Sequence, residues 1–264
     1  MGYYDAFIYG ILQGLTEFLP VSSSGHLAIL PKFLSIDDPG VFFDLAMHLG
    51  TALAILVYFK QDIIKLFIGL INWIKQNKNM ESDQAVNMVI STFVTLITIL
   101  LIKDFALAYG RTTQLIGINL IFFGIIMLLV DQYALKSKVL IMDKLNIRNA
   151  ILIGFFQALA IFPGVSRSGI TLTIARGLKM DRVESTRYSF LLALPIVLGG
   201  FVKGIFSKDM LQQNFEWGSC IFGIAISFVI GIITIHFFLQ FIKKVGLIPF
   251  SIYRVLLGTY LLFI

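Results

Sequence analysis

Hydrophobic and polar positions fall in long blocks along this chain. Six apolar blocks, about 40–60, 85–103, 113–131, 187–206, 217–241 and 246–264, approach the roughly 20 residues that carry a helix across about 30 Å of hydrocarbon. The pattern therefore predicts six membrane-crossing helices. Residues Gln61 to Lys75 mix Lys, Trp and apolar positions at helical spacing, which predicts an interfacial extension of the first span. The longest polar stretch, Lys75 to Gln84, reads as a plain loop.

Two further segments, near 6–34 and 149–180, are apolar but interrupted. Each holds a half-length apolar helix, a Pro with a Ser/Gly cluster, and a second short apolar piece. Neither half crosses alone, and irregular backbone at membrane depth is tolerated only inside protein or beside a water-filled cavity. Both segments read as re-entrant helical hairpins. They are also copies: at a constant offset of 144, Gly10, Gln13, Leu15, Phe18, Val21, Ser22, Ser24 and Gly25 match Gly154, Gln157, Leu159, Phe162, Val165, Ser166, Ser168 and Gly169. Apolar bias accounts for Leu and Val, but not for Gln, two Ser and two Gly in register.

The expected fold is an all-α polytopic membrane protein, one integral domain over residues 1–264. Repeat 1 covers about 1–135 and repeat 2 about 146–264, each a re-entrant hairpin plus three transmembrane helices. Three crossings are odd, so the second copy enters inverted and the hairpin tips meet near the midplane.

Composition then removes whole classes of function. Hydrophobic residues are 58% and charged residues 14% of the chain, against roughly a quarter charged in soluble domains, so a soluble enzyme is excluded. The formal charge of +6 belongs to loops, and no nucleic-acid partner is expected. Fourteen Lys/Arg share a side with residues 60–84, 131–149, 176–187 and 242–245; the other side has only Lys32, Lys103, Arg111, Lys203 and Lys208. That asymmetry predicts both termini outside, the first hairpin opening outward and the second inward. Arg176, Lys179, Arg182 and Arg187 are expected to serve topology and contact anionic lipid. A lone cysteine, Cys220, excludes an internal disulfide, and the N-terminus lacks the basic region of a cleavable signal peptide.

Candidate chemistry sits at the hairpin tips. Gln13 and Glu17 lie four apart on one helical face, and Glu17 is the only acid of its hairpin; Arg167 is the only base near the other tip. Charges at membrane depth cost roughly 2.5–3.5 kcal/mol or more, so they pair or do work. If the tips meet, Glu17 and Arg167 share a pocket, as a site or as a structural ion pair. A Ser/Gly turn leading into a helix presents free N–H groups to phosphate oxygens, and Arg adds a planar fork. An anionic phosphorylated ligand is expected, with Mg²⁺ or Ca²⁺ bridging its oxygens to Glu17 and Gln13. Asp44 and His48, four apart, either border this site or form an interhelical hydrogen bond. Arg254 lies inside the last span and needs a partner.

The strings Gln-Gly-Leu-Thr-Glu-Phe-Leu-Pro-Val-Ser-Ser-Ser-Gly-His (13–26) and Pro-Gly-Val-Ser-Arg-Ser-Gly (163–169) resemble the two signature motifs of the undecaprenyl-diphosphate phosphatase family, the bacitracin-resistance proteins. The resemblance implies a multi-pass enzyme of the bacterial inner membrane. Such an enzyme removes the terminal phosphate of a long-chain polyprenyl diphosphate and recycles the carrier lipid for peptidoglycan synthesis. The family's serine and histidine fall on Ser23 and His26, and its arginine on Arg167. Its acidic motif begins with Gln13 here, unlike members with two carboxylates, which leaves Glu17 as the acid/base or metal ligand. Arg167 with Ser22, Ser166, Ser168 and Gly169 would hold the diphosphate. Ser23 would attack, with His26 or Glu17 taking its proton, or would orient an attacking water. The alternative is a polyprenyl-phosphate transporter or flippase using the same site.

Overall fold

The structure, a computed structural model, describes residues 2–34, 38–77, 79–110, 112–135, 145–206 and 216–264. Arg111 and Lys208 of the charge count above lie outside these residues, as do Lys78, Lys136, Lys138 and Lys144. Eleven α-helices occupy the described residues: α1 Tyr3–Thr16, α2 Ser23–Leu34, α3 Val41–Tyr58, α4 Lys60–Ile74, α5 Met80–Tyr109, α6 Thr113–Leu135, α7 Ile147–Gln157, α8 Arg167–Gly177, α9 Arg182–Ile205, α10 Trp217–Lys244 and α11 Ile248–Leu262. A short 3-10 turn, Ala158–Ile161, follows α7.

Five of these helices, α3, α5, α6, α9 and α10, are long and apolar enough to cross a membrane. The sixth expected span is α11, whose 15 residues extend only about 22 Å at 1.5 Å per residue. Exposed large apolar side chains such as Phe93, Leu100, Phe105, Phe122 and Phe237 stud the long helices. That surface is wrong for water and right for lipid, where the helix satisfies its own backbone. The protein is a multi-pass, all-α membrane protein.

Two boundaries differ from the sequence expectation. Residues 80–84 are helical, not loop, because Asn79 caps α5: its side chain accepts from Ser82 N at 2.8 Å while Ser82 Oγ receives the Asn79 N–H at 2.9 Å. Reciprocal capping of this kind satisfies donors that a helix start otherwise leaves open. The expected extension of the first span is a separate helix, α4, set off at Phe59 (φ −102°, ψ 25°) and packed on α5.

Both interrupted segments are pairs of half-length helices, α1–α2 and α7–α8, with each pair packed together. Their first helices dock on the opposite half of the chain, α1 on α10 and α7 on α5, while α6 packs on α11 and α3 on both α9 and α10. Without water to drive helices together, close backbone approach does so. Gly10 and Gly14 form the α1 seam; a Cβ on Gly14 would lie 2.7 Å from Ile230 Cβ and 3.0 Å from Ser227 O. Beyond the seam, fully buried Phe18 meets Phe190 edge-on at 5.0 Å, inside a core shared with Phe59, Leu192, Ile235 and Phe238.

Of the four cations expected at anionic lipid, Arg176, Arg182 and Arg187 are paired within the protein. Arg176 Nε and Arg182 Nη2 both donate to buried Asp131 near the end of α6, at 2.8 and 2.7 Å. Arg187 pairs with Asp62 of α4 and with Glu184. These clusters tie α4, α6, α8 and α9 together on the side rich in Lys and Arg.

Candidate active site

Each hairpin turn carries a serine in the left-handed region, Ser22 at φ 75° and Ser166 at φ 71°. Such a backbone costs a non-glycine residue roughly 1–2 kcal/mol, and both turns offset it the same way. Ser22 Oγ accepts the Gly25 N–H at 3.3 Å, and Ser166 Oγ accepts the Gly169 N–H at 3.0 Å. Each serine oxygen also lies near the next repeat-matched hydroxyl, Ser24 Oγ at 3.4 Å and Ser168 Oγ at 3.3 Å. Ser22, Ser166 and Gly169, expected to hold phosphate, take part in capping α2 and α8. Ser168 Oγ reaches across to Leu19 O at 3.1 Å and joins one turn to the other.

Arg254 locks the two turns. Fully buried in α11, it donates to Gly164 O at 2.9 Å, Val165 O at 3.0 Å, Pro20 O at 3.2 Å and Leu120 O at 3.3 Å. The partner this residue needed is thus a ring of backbone carbonyls from both tips and α6. Asn119 of α6 adds a bond from Nδ2 to Pro163 O at 2.7 Å.

With the turns so held, Glu17 and Arg167, 150 residues apart in sequence, are joined by Arg167 Nη2 to Glu17 Oε1 at 2.5 Å. Glu17 Oε2 accepts from Ser23 Oγ at 2.5 Å and from Gln13 Nε2 at 2.9 Å, and faces His48 Nε2 at 3.4 Å. Gln13 Nε2 also approaches Thr51 Oγ1 at 3.5 Å. Arg167 uses half of its fork here; Nη1 is buried and unpaired.

These groups border a cavity of about 270 Å³ between the tips. Glu17, Ser23, Ser24, His48, Thr95, Gln157, Ser166 and Arg167 give its polar lining; Leu45, Ile99, Ile161, Ile196 and Val197 give the apolar lining. The starts of α2 and α8 both reach it, so two helix N-termini, each electropositive, bound one space. A smaller cavity of about 140 Å³ shares Ser24, Leu45 and His48 and adds Asp44 and Val41.

His26 is not part of this lining. Its Nδ1 donates to Ser22 O at 2.8 Å, and its Nε2 lies 2.6 Å from Tyr253 Oη, with the two rings stacked at 5.7 Å. A neutral imidazole donating at Nδ1 and accepting the tyrosine proton at Nε2 has no lone pair left for Ser23. His48 occupies that place instead: Nδ1 donates to Asp44 O at 2.7 Å, and Nε2 remains beside Glu17. Asp44 borders only the smaller cavity. Gln13 lies fully buried behind Glu17, its Oε1 unpaired, and Thr95 and Gln157 were not singled out as site residues. The repeat was the available signal, since Gln157 is the mate of Gln13.

Among the described residues no group of three or more His, Cys, Asp or Glu is placed to hold a metal ion. One carboxylate, Glu17, with an unpaired amide oxygen behind it suits a cation whose other ligands are water and substrate phosphates, the usual state of Mg²⁺.

The sequence matches, over residues 6–260, the family described as bacitracin resistance protein BacA. It is 37% identical over 268 residues to an undecaprenyl-diphosphatase of Alcanivorax borkumensis, covering 100% of this chain and 99% of the relative. An undecaprenyl-diphosphatase of Aliivibrio salmonicida is 39% identical over 266 residues, covering 99% of this chain and 98% of that protein. One from Teredinibacter turnerae is 38% identical over 262 residues, with 97% of each chain covered.

Proposed function

This chain belongs to the bacitracin resistance protein BacA family, and from that membership and the site we infer that it hydrolyses undecaprenyl diphosphate to undecaprenyl phosphate and inorganic phosphate. The observation that carries the chemistry is the joining of Ser23, Glu17 and Arg167 at one cavity. Cleaving a diphosphate needs charge neutralisation on the transferring phosphoryl group, a nucleophile in line and a stabilised leaving group. Arg167 supplies the first: Nη2 keeps Glu17 in place while the unpaired Nη1 receives a phosphate oxygen. Ser23 is the nucleophile, already donating its proton to Glu17 Oε2. That oxygen takes the proton, and the His48 Nε2 lone pair beside it can accept the proton in turn. Ser24 and the positive ends of α2 and α8 stabilise the bridging oxygen as it leaves.

Glu17, backed by the Gln13 amide, would hold a divalent cation, Mg²⁺ or Ca²⁺, and that cation would neutralise phosphate charge. The apolar lining of Leu45, Ile99, Ile161, Ile196 and Val197 receives the first isoprene units.

The exchange of partners between halves, α1 on α10 and α7 on α5, supports an inverted repeat of two re-entrant hairpins. The lining of the smaller cavity includes Val41 and Asp44 at the start of α3, the end of that helix read as lying on the side poor in Lys and Arg. That lining supports a site reached from outside the inner membrane, with both termini on that side.

The deciding experiment measures phosphate release from undecaprenyl diphosphate by purified wild type, Glu17→Ala and Arg167→Ala, with Mg²⁺, Ca²⁺ or EDTA. Metal-dependent release that collapses in both variants is the expected result. A folded protein that binds the lipid but releases no phosphate in any condition would overturn the reading and leave a lipid carrier.

A further inference from the structure

We propose that Gln157, oriented by Thr95, holds the water whose oxygen ends in the released phosphate. The inference rests on the hydrolytic reading above. Gln157 is 2% exposed and lines the same cavity as Ser23, Glu17 and Arg167. Its Nε2 donates to Thr95 Oγ1 at 3.0 Å. Which end of the amide faces Thr95 follows from the hydroxyl's other bonds. Thr95 Oγ1 lies 2.8 Å from Ser91 O and 2.9 Å from Gly154 O, both pure acceptors, so its single hydrogen is committed to them. Thr95 can then only accept from Gln157, and the amide oxygen Oε1 is the end left over.

That oxygen is buried without any partner. An unsatisfied buried acceptor costs about 1–3 kcal/mol, and a glutamine kept only to glue α7 to α5 would have no use for it. Arg167, which lines the same cavity, has an unpaired donor of its own in Nη1. A phosphate oxygen satisfies the donor, and only a molecule with a hydrogen to give satisfies the acceptor. A phosphate ester with all its oxygens ionised has none; water does.

The step balances as follows. The water oxygen bonds to phosphorus, one of its protons passes to Glu17, and the proton held by Gln157 Oε1 stays on the phosphate. If water attacks directly, the bridging P–O bond breaks and its electron pair leaves on the lipid monophosphate. If Ser23 attacks first, Glu17 already holds the Ser23 proton; it returns that proton to Ser23 Oγ as the water displaces this oxygen with its electron pair, and the freed carboxylate then takes the water's proton.

The test compares wild type with Gln157→Leu, Gln157→Asn, Thr95→Val and Thr95→Ser, purified with undecaprenyl diphosphate and Mg²⁺, folding being checked by thermal unfolding. Gln157→Leu is expected to lower kcat about 10²-fold, the usual cost of misplacing a reacting group by about 1 Å, with KM nearly unchanged. Thr95→Val follows in the same direction, and Thr95→Ser restores activity. Added methanol gives a readout that packing alone does not move. Without its seat, water competes less well, and the ratio of methyl phosphate to phosphate rises several-fold in Gln157→Leu. A folded Gln157→Leu with wild-type kcat, or with raised KM, intact kcat and an unchanged methanol ratio, would overturn the assignment. Absence of phosphate release by wild type itself would instead sink the hydrolytic reading.

Discussion

Gly14→Ala isolates what the α1 seam does for the site. Gly14 is buried one residue after Gln13 and three before Glu17, on the face of α1 that meets α10. The added Cβ would sit 2.7 Å from Ile230 Cβ, where ordinary contact begins at 3.4 Å. Neither that atom nor Ser227 O is the far end of a flexible side chain, so α1 must retreat by about 0.7 Å, the gap between those distances. Overpacking of this kind costs about 1–3 kcal/mol, against about 0.8–1.0 kcal/mol regained from alanine's helix propensity. The net loss of stability is then at most about 2 kcal/mol. The rate should suffer more, because Glu17 rides on α1 and a 1 Å misplacement can cost about 10²-fold; a drop of at least about tenfold in kcat is expected. Gly199→Ala is the control, since nothing lies within 4 Å of its added Cβ. Phosphate release and thermal unfolding in one detergent measure both effects. Wild-type kcat in folded Gly14→Ala, indistinguishable from Gly199→Ala, would refute the claim that the seam positions Glu17.

Other substitutions separate scaffold from chemistry. Arg254→Met leaves the carbonyls of Pro20, Gly164 and Val165 without this donor, at about 1–3 kcal/mol each if they stay dry. Denaturant unfolding should show the loss, and Arg254→Lys, lacking the fork, should recover only part of it. Asp131→Asn strands Arg176 and Arg182, for which breaking a buried pair costs about 3–5 kcal/mol. Stability should fall while phosphate release per folded molecule holds, and a changed kcat would show that this cluster reaches the site. His26→Gln and Tyr253→Phe both remove the bond between the two rings, and His26→Gln also removes the bond to Ser22 O and the ring stack. His26→Gln should therefore lose more stability, with kcat affected alike and non-additively in the double variant, whereas a much larger kcat loss in His26→Gln alone would restore that histidine to the chemistry.

Most of the fold was legible in the sequence because its determinants are local. A lipid-facing helix needs an unbroken apolar run, and a turn at membrane depth needs residues that satisfy their own backbone. The blocks at 40–60 and 217–241 and the two Ser/Gly turns met those requirements directly. The two interrupted segments are also copies at the level of sequence, since polar identities such as Gln13 and Gln157 do not arise from apolar bias. Where a helix ends was less legible. Asn79 and Ser82 extend α5 into a stretch whose polarity reads as loop.

What the sequence determined by itself is the class of molecule, the two tips and the residue types available there. Only the tertiary structure decided which of them share the cavity. Ser23 and His26 lie on the same helix, yet one faces Glu17 and the other stacks on Tyr253. Gln13 is sealed behind the carboxylate while its repeat mate Gln157 opens on the cavity, and Arg254 finds carbonyls instead of an acid. The physical reason is that helix rotation and interhelical packing are set by close backbone approach between segments far apart in the chain, as where Gly10 and Gly14 meet α10. Residue spacing along one helix carries no record of that approach.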